Sequence, residues 1–220
     1  DAPKVYCGDG KCDITESCSS CNSDCGKCKE DILKQIKENI VWVKYEVTGK
    51  NADGSYFEKS DSGSGVIYSI EDSKIKIFTN RHVVDCGFSD MGCFQRLSEK
   101  ITIRTQDGNL HITSGLSFAP HNLDIAILEI NTEIFKPLAV YRNYNPKIGD
   151  KVIAIGYPTY GVERVLEFSI AEGKINQIKN LLMDDGFGFE SIESNAYINF
   201  GSSGGGLFDG KGNLLGIITW

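Results

Sequence analysis

Residues 195–220 read NAYINFGSSGGGLFDGKGNLLGIITW. Ser203 stands there among Gly201, Gly204, Gly205 and Gly206. Glycines around a serine let the backbone turn tightly, expose the hydroxyl and aim nearby N–H groups at one point. The same letters also fit a strained strand-to-helix turn that presents a nucleophile, or a plain flexible loop. The flanking runs AYINF and LLGIIT are β-branched or aromatic and are broken by Gly, Asn and Asp, which is the pattern of short strands.

The pattern continues outward to about Ile40. VWVKYEV, GVIYSI, KIKIFTN, ITIRT, DIAILEI, KVIAIGY and VLEFSIA are further runs of this kind. Roughly a dozen strands without a long intervening helix make an all-β sandwich or barrel. Asn51–Gly54 and Asp107–Asn109 read as hairpin turns. A looser stretch with two prolines, Asn131–Pro146, divides the strands into a unit over 39–136 and a second over 137–220. Ahead of both, KEDILKQIKEN sets Ile32, Leu33 and Ile36 on one side of a short helical linker over 29–38.

A serine hydroxyl needs a base, usually histidine, within hydrogen-bond reach. Three histidines are available: His82 where an apolar run ends and the chain turns, His111 within a strand-like run, and His121 in a proline-containing loop. No histidine follows Ser203, which removes the order serine, acid, histidine. Asp61-Ser62-Gly63 has the look of an acid preceding the base, but His82 lacks the glycine that usually follows in that arrangement. Asp124 opens LDIAILEI, where a carboxylate precedes a run built for burial. Such a group is costly unless hydrogen-bonded; it either caps a turn or orients an imidazole. His111 and His121 are assigned to structure.

Taken together, these segments resemble the trypsin-like serine peptidases, most closely in wording the HtrA branch. The resemblance rests on SGSGVIYS, FTNRHVV, LDIAILEI, KVIAIGYP with FSIAEGKI, and ESNAYINFGSSGGGLFDGKGNLLGIITW, in that order over residues 39–220. It implies two antiparallel β-barrels of the six-stranded type, the second incomplete at its C-terminal end, where a further strand and often a PDZ domain would follow. It also implies peptide-bond hydrolysis through an acyl-enzyme on polypeptide substrates. Carried over by position, Ser203 is the nucleophile, His82 the general base and Asp124 its orienting acid, with the N–H groups of Gly201 and Ser203 receiving the oxyanion. Tyr197 falls at the base of the pocket for the residue before the scissile bond, and Thr219 and Trp220 begin the strand that pairs with substrate. Two departures stand out: Ser202 replaces the usual Asp or Asn, and Gly206 the usual Pro.

Six cysteines, Cys7, Cys12, Cys18, Cys21, Cys25 and Cys28, crowd a module over residues 1–28 that has almost no aliphatic side chains. Disulfides in an oxidising compartment are the expectation, in one of 15 pairings, with zinc ligation as the competing reading. Cys86 and Cys93 would clip a short loop behind His82. The module also resembles disulfide-linked calcium-binding repeats of the Notch kind, through Asp9, Asp13, Glu16 and Asp24, against a reading of these as a solvated acidic spacer. No other cofactor is expected. A net charge of −7 argues against a nucleic-acid surface, and no apolar run is long enough for a membrane span. The cysteines and the start at Asp1 suggest export after removal of a leader. The competing functions are an exported serine endopeptidase, a catalytically impaired fold that binds peptides, and a cation-dependent assembly protein.

Overall fold

The computed structural model describes residues 7–12, 16–71, 73–88, 93–131, 145–158 and 168–219. The chain begins with a helical turn α1 (Asn22–Cys25), then α2 (Lys29–Glu38). Strands β1 (Ile40–Lys50), β2 (Tyr56–Glu71) and β3 (Lys74–Thr79) lead to the one-turn helix α3 (Arg81–Val84). There follow β4 (Gln95–Arg104), β5 (Leu110–Ile112), β6 (Gly115–Phe118) and β7 (Ala126–Asn131). The second half holds β8 (Lys151–Gly156), β9 (Ser169–Leu182), β10 (Gly188–Ser194), β11 (Gly206–Asp209) and β12 (Leu214–Ile217).

Every ladder is antiparallel, in two sheets ordered β5-β4-β1-β2-β3-β7-β6 and β10-β9-β8-β11-β12. The first sheet closes on itself. Its terminal strands β5 and β6 are joined by Thr113 and Ser114 alone; the Thr113 N–H donates to Ile101 (3.1 Å) and the Ser114 N–H to Glu129 (2.7 Å). They therefore act as one bent strand, and seven labels make a six-stranded barrel with no free edge. Val41, Val43, Tyr45 and Val47 alternate inward from β1 to meet Ile77, Ile103 and Leu128. The second sheet has five strands among the described residues, with β10 and β12 at its edges.

Two sequence expectations change. AYINF is not a strand: the chain from Asn195 to Asn199 forms no ladder, although Ala196 is buried. Conversely, SDSGSG runs straight through β2. A side chain at Gly63 would sit 2.8 Å from Val83 Cγ2 and 2.9 Å from the Ser203 carbonyl, so the glycine serves close approach here and does not make a turn. The turn at Asn51–Gly54 forms as expected, and the one expected at Asp107–Asn109 starts two residues earlier, with the Gly108 N–H donating to the Thr105 carbonyl. Most of the Asn131–Pro146 boundary lies outside the described residues.

The helix α2 does more than link. Ile32 and Ile36 are buried with Ile153, Ile155, Phe208 and Leu214 of the second sheet and with Ile40 and Val66 of the first. Ile36→Ala is expected to cost about 2–4 kcal/mol, read as a lower urea midpoint at unchanged slope. The cysteines ahead of it pair as Cys7–Cys21, Cys12–Cys25 and Cys18–Cys28, and Cys86 pairs with Cys93. With all eight cysteines bonded, none is a thiolate ligand for zinc. The Asp24 carboxylate accepts from the N–H groups of Gly8 and Asp9, and Asp9 from that of Lys11. Asp13 lies outside the described residues. No helix among those described is long and apolar enough to cross a membrane.

Candidate active site

β3 ends at Thr79, and Asn80 turns the chain into α3, which carries His82. Asp124 precedes β7, the neighbour of β3, so the two residues meet at one end of the same ladder. His82 Nδ1 lies 2.7 Å from Asp124 Oδ2, and the His82 backbone N–H donates to Asp124 Oδ1 at 2.9 Å. A third donor comes from the other barrel: Thr219 Oγ1 donates to Asp124 Oδ2 at 2.8 Å. Burial alone would raise the Asp124 carboxyl, but these three hydrogen bonds outweigh it and hold the group below the usual carboxylate range. An ionised carboxylate only accepts, so the His82 Nδ1 that faces it carries a proton. Burial pushes the Asp61 carboxyl up, against the Ser62 N–H and the nearby His82 charge.

The Ser203 loop is fixed from beneath by Ser64, a residue with no exposed surface. Ser64 N–H donates to the Ser203 carbonyl (2.8 Å) and its hydroxyl to the Gly201 carbonyl (2.7 Å). The hydroxyl also accepts from the Tyr157 N–H, while Thr79 Oγ1 donates to the Ser64 carbonyl, each at 2.7 Å. Within the loop, the N–H groups of Ser202, Gly204 and Gly205 donate to Asn199, Ile218 and Ser202. Those of Gly201 and Ser203 have no acceptor among the described residues. Gly63 separates the Ser203 carbonyl from Val83 by the space of one missing methyl group, which sets the serine loop against the segment bearing His82.

A cavity of about 970 Å³ opens between the barrels beside Asp124. Ala196, Ile198, Leu207 and Ile217 give it an apolar wall, and Asn80 and Thr219 stand at its polar side. Tyr197, expected at the pocket base, instead points outward at 75% exposure. In the extended chain its neighbours Ala196 and Ile198 take the inward positions. Sequence reasoning gave no part to Ser64, or to Asn80, whose amide donates to the Asp124 carbonyl at 2.8 Å. It also gave Thr219 to substrate alone. Trp220 lies outside the described residues.

The model of the trypsin-like peptidase domain matches residues 63–217, which takes in β2 from Gly63 onward, α3, the Asp124 strand and the Ser203 loop. The chain belongs to the trypsin-like peptidase family. This family member is 29% identical to the serine endoprotease DegS of Haemophilus influenzae, over 76% of this chain and 44% of that protein. It is 30% identical to the serine protease Do-like HtrA of Bacillus subtilis (76% and 35%), and 30% identical to the periplasmic pH-dependent serine endoprotease DegQ of Escherichia coli (71% and 30%). The chain thus spans between about a third and a half of the length of these curated relatives.

Proposed function

We propose that this trypsin-like chain is a serine endopeptidase with Ser203 as nucleophile, His82 as general base and Asp124 as the group that orients the base. The observation that carries the reading is the pair of hydrogen bonds from His82 to an ionised Asp124 beside the Ser203 loop. His82 Nε2 takes the Ser203 proton as Oγ attacks the scissile carbonyl. The Gly201 and Ser203 N–H groups receive the oxyanion, each donor contributing about 3–4 kcal/mol to the transition state. His82 then passes the proton to the leaving amine, and water repeats the sequence in reverse on the acyl-enzyme.

The apolar wall at Ala196, Ile198 and Ile217 supports uncharged side chains at the residue before the scissile bond. Four disulfides support an exported protein in an oxidising compartment. Calcium at the N-terminal carboxylates is a separate proposal, tested by whether Ca²⁺ raises the melting temperature of the oxidised chain.

A fluorophosphonate probe tests the peptidase reading. We expect one adduct per folded chain, mapped by mass spectrometry to Ser203 and absent after denaturation. No adduct on the oxidised, folded protein would transfer the site to the peptide-binding reading.

A further inference from the structure

The two barrels are joined beside Asp124 by a pair that touches none of the three residues assigned to chemistry. The segment from Ala119 to Ile125 links β6 to β7, and within it His121 and Asn122 both take left-handed backbone, at φ +59° and +57°. Two successive non-glycine residues there are unfavourable and persist only where the surroundings hold them. Here they are held from both sides. His121 Nδ1 lies 2.5 Å from Asp185 Oδ2, and its ring stacks on Phe187 with centroids 4.2 Å apart and planes 7° from parallel.

Asp185 sits at the tip of the β9–β10 hairpin, where the Phe187 N–H donates to its other oxygen at 3.0 Å and Gly186 closes the turn onto Met183. From the opposite side, Arg81 Nη1 donates to Asn122 Oδ1 at 3.0 Å. Arg81 immediately precedes His82, and its guanidinium packs over Phe88 and Phe118. An isolated exposed side-chain contact contributes little. This one acts together with a stack and a turn on two strained residues, the nearer of them two positions from Asp124.

We propose that His121 is a positioning residue: with Asp185 it latches the hairpin of the Ser203 barrel to the loop that presents Asp124, and so sets the Asp124–His82 pair against Ser203. The assignment rests on the peptidase reading given above. It predicts a loss in the chemical step more than in binding, because neither partner lies on the apolar wall of the cavity.

Asp185→Ala, Asp185→Asn and His121→Phe in the oxidised chain separate the contributions. The Asn side chain keeps an acceptor for His121, and the Phe keeps the stack but loses the bond. Two readouts apply: kcat and KM on a peptide substrate, and the low-field proton resonance of His82 Nδ1–H. We expect Asp185→Ala and His121→Phe to lower kcat three- to tenfold with KM within twofold, and to weaken the resonance or move it upfield. Asp185→Asn should stay within twofold of the parent in kcat. An unchanged resonance and kcat in both Asp185→Ala and His121→Phe would overturn the latch, as would equal losses in Asp185→Ala and Asp185→Asn. The resonance reports the His82–Asp124 bond with or without turnover. A chain that fails to label with the probe but loses this signal in Asp185→Ala would therefore refute the peptidase reading and keep the latch.

Discussion

Asp124→Asn is expected to lower kcat by about 10⁴-fold while leaving KM within a few-fold. Both carboxylate oxygens are engaged by donors: Oδ1 by the His82 N–H, Oδ2 by His82 Nδ1 and Thr219 Oγ1. An amide supplies one acceptor and one donor. With its NH₂ at the Oδ2 position it faces the imidazole and turns His82 into the tautomer protonated on Nε2, which cannot accept the serine proton. With NH₂ at the Oδ1 position it faces the backbone N–H of His82. Either choice breaks a contact that the carboxylate satisfies. Steady-state kinetics on one peptide substrate decide the matter, and a loss below tenfold would remove Asp124 from the role of orienter.

The same substitution has a pH signature. The folded-state carboxyl of Asp124 is depressed, so its contribution to stability is fully present above the ordinary carboxylate value of about 3.9. That contribution is lost as pH falls through the lower folded value. The parent should therefore lose stability relative to Asp124→Asn across this acid window, as read by urea titrations at a series of pH values.

Gly204→Ala is expected to destabilise by more than about 4 kcal/mol and to lower the melting temperature by roughly 10 °C or more. Gly204 has φ +84°, and an added methyl would lie 2.1 Å from the Ser64 carbonyl oxygen and 2.4 Å from Thr79 Oγ1. Neither neighbour can retreat. The Ser64 carbonyl holds the Thr79 hydroxyl, and the rest of Ser64 holds the Ser203 carbonyl, the Gly201 carbonyl and the Tyr157 N–H. A variant melting within a few degrees of the parent would mean that the loop can shift as a body, and that Ser64 does not fix it.

The strands legible in the sequence were those whose burial follows a period of two, such as VWVKYEV and AILEI. Where the backbone itself is the packing surface, composition misleads. Gly63 and Gly65 look like turn residues, yet they lie in β2 because Val83, the Ser203 loop, Ile77 and Val41 press against them. AYINF has strand letters, but no ladder partner reaches it. That His82 and Asp124 meet was readable because few histidines were available and the order of the segments was informative. Ser64 and Asn80 were not, since a buried Ser or Asn that satisfies backbone groups has the same letter as one in a loop; nor was the bond from Thr219 to the Asp124 side chain, which joins residues 95 positions apart. Counting six back from Ser203 lands on Tyr197, but the alternation of the extended chain turns Ala196 and Ile198 toward the cavity and Tyr197 away from it. The pairing of the first six cysteines could not be read from spacing, because 15 connectivities fit equally well, whereas the Cys86–Cys93 clip was legible and forms.

The cluster around Ile36 has a mechanical side. α2 is buried among β8, β11 and β12 of the second sheet, and the chain leaves it directly into β1, which is paired on both sides in the first. Pulling the barrels apart would require extracting α2 from one or unzipping β1 from the other. At its far end α2 begins one residue after Cys28, which is tied to Cys18, so the helix is continuous with the cross-linked module. The two barrels are thus stitched by their own leading segment, and should yield to heat or force as one cooperative unit whose weakest seam is not the cleft between them.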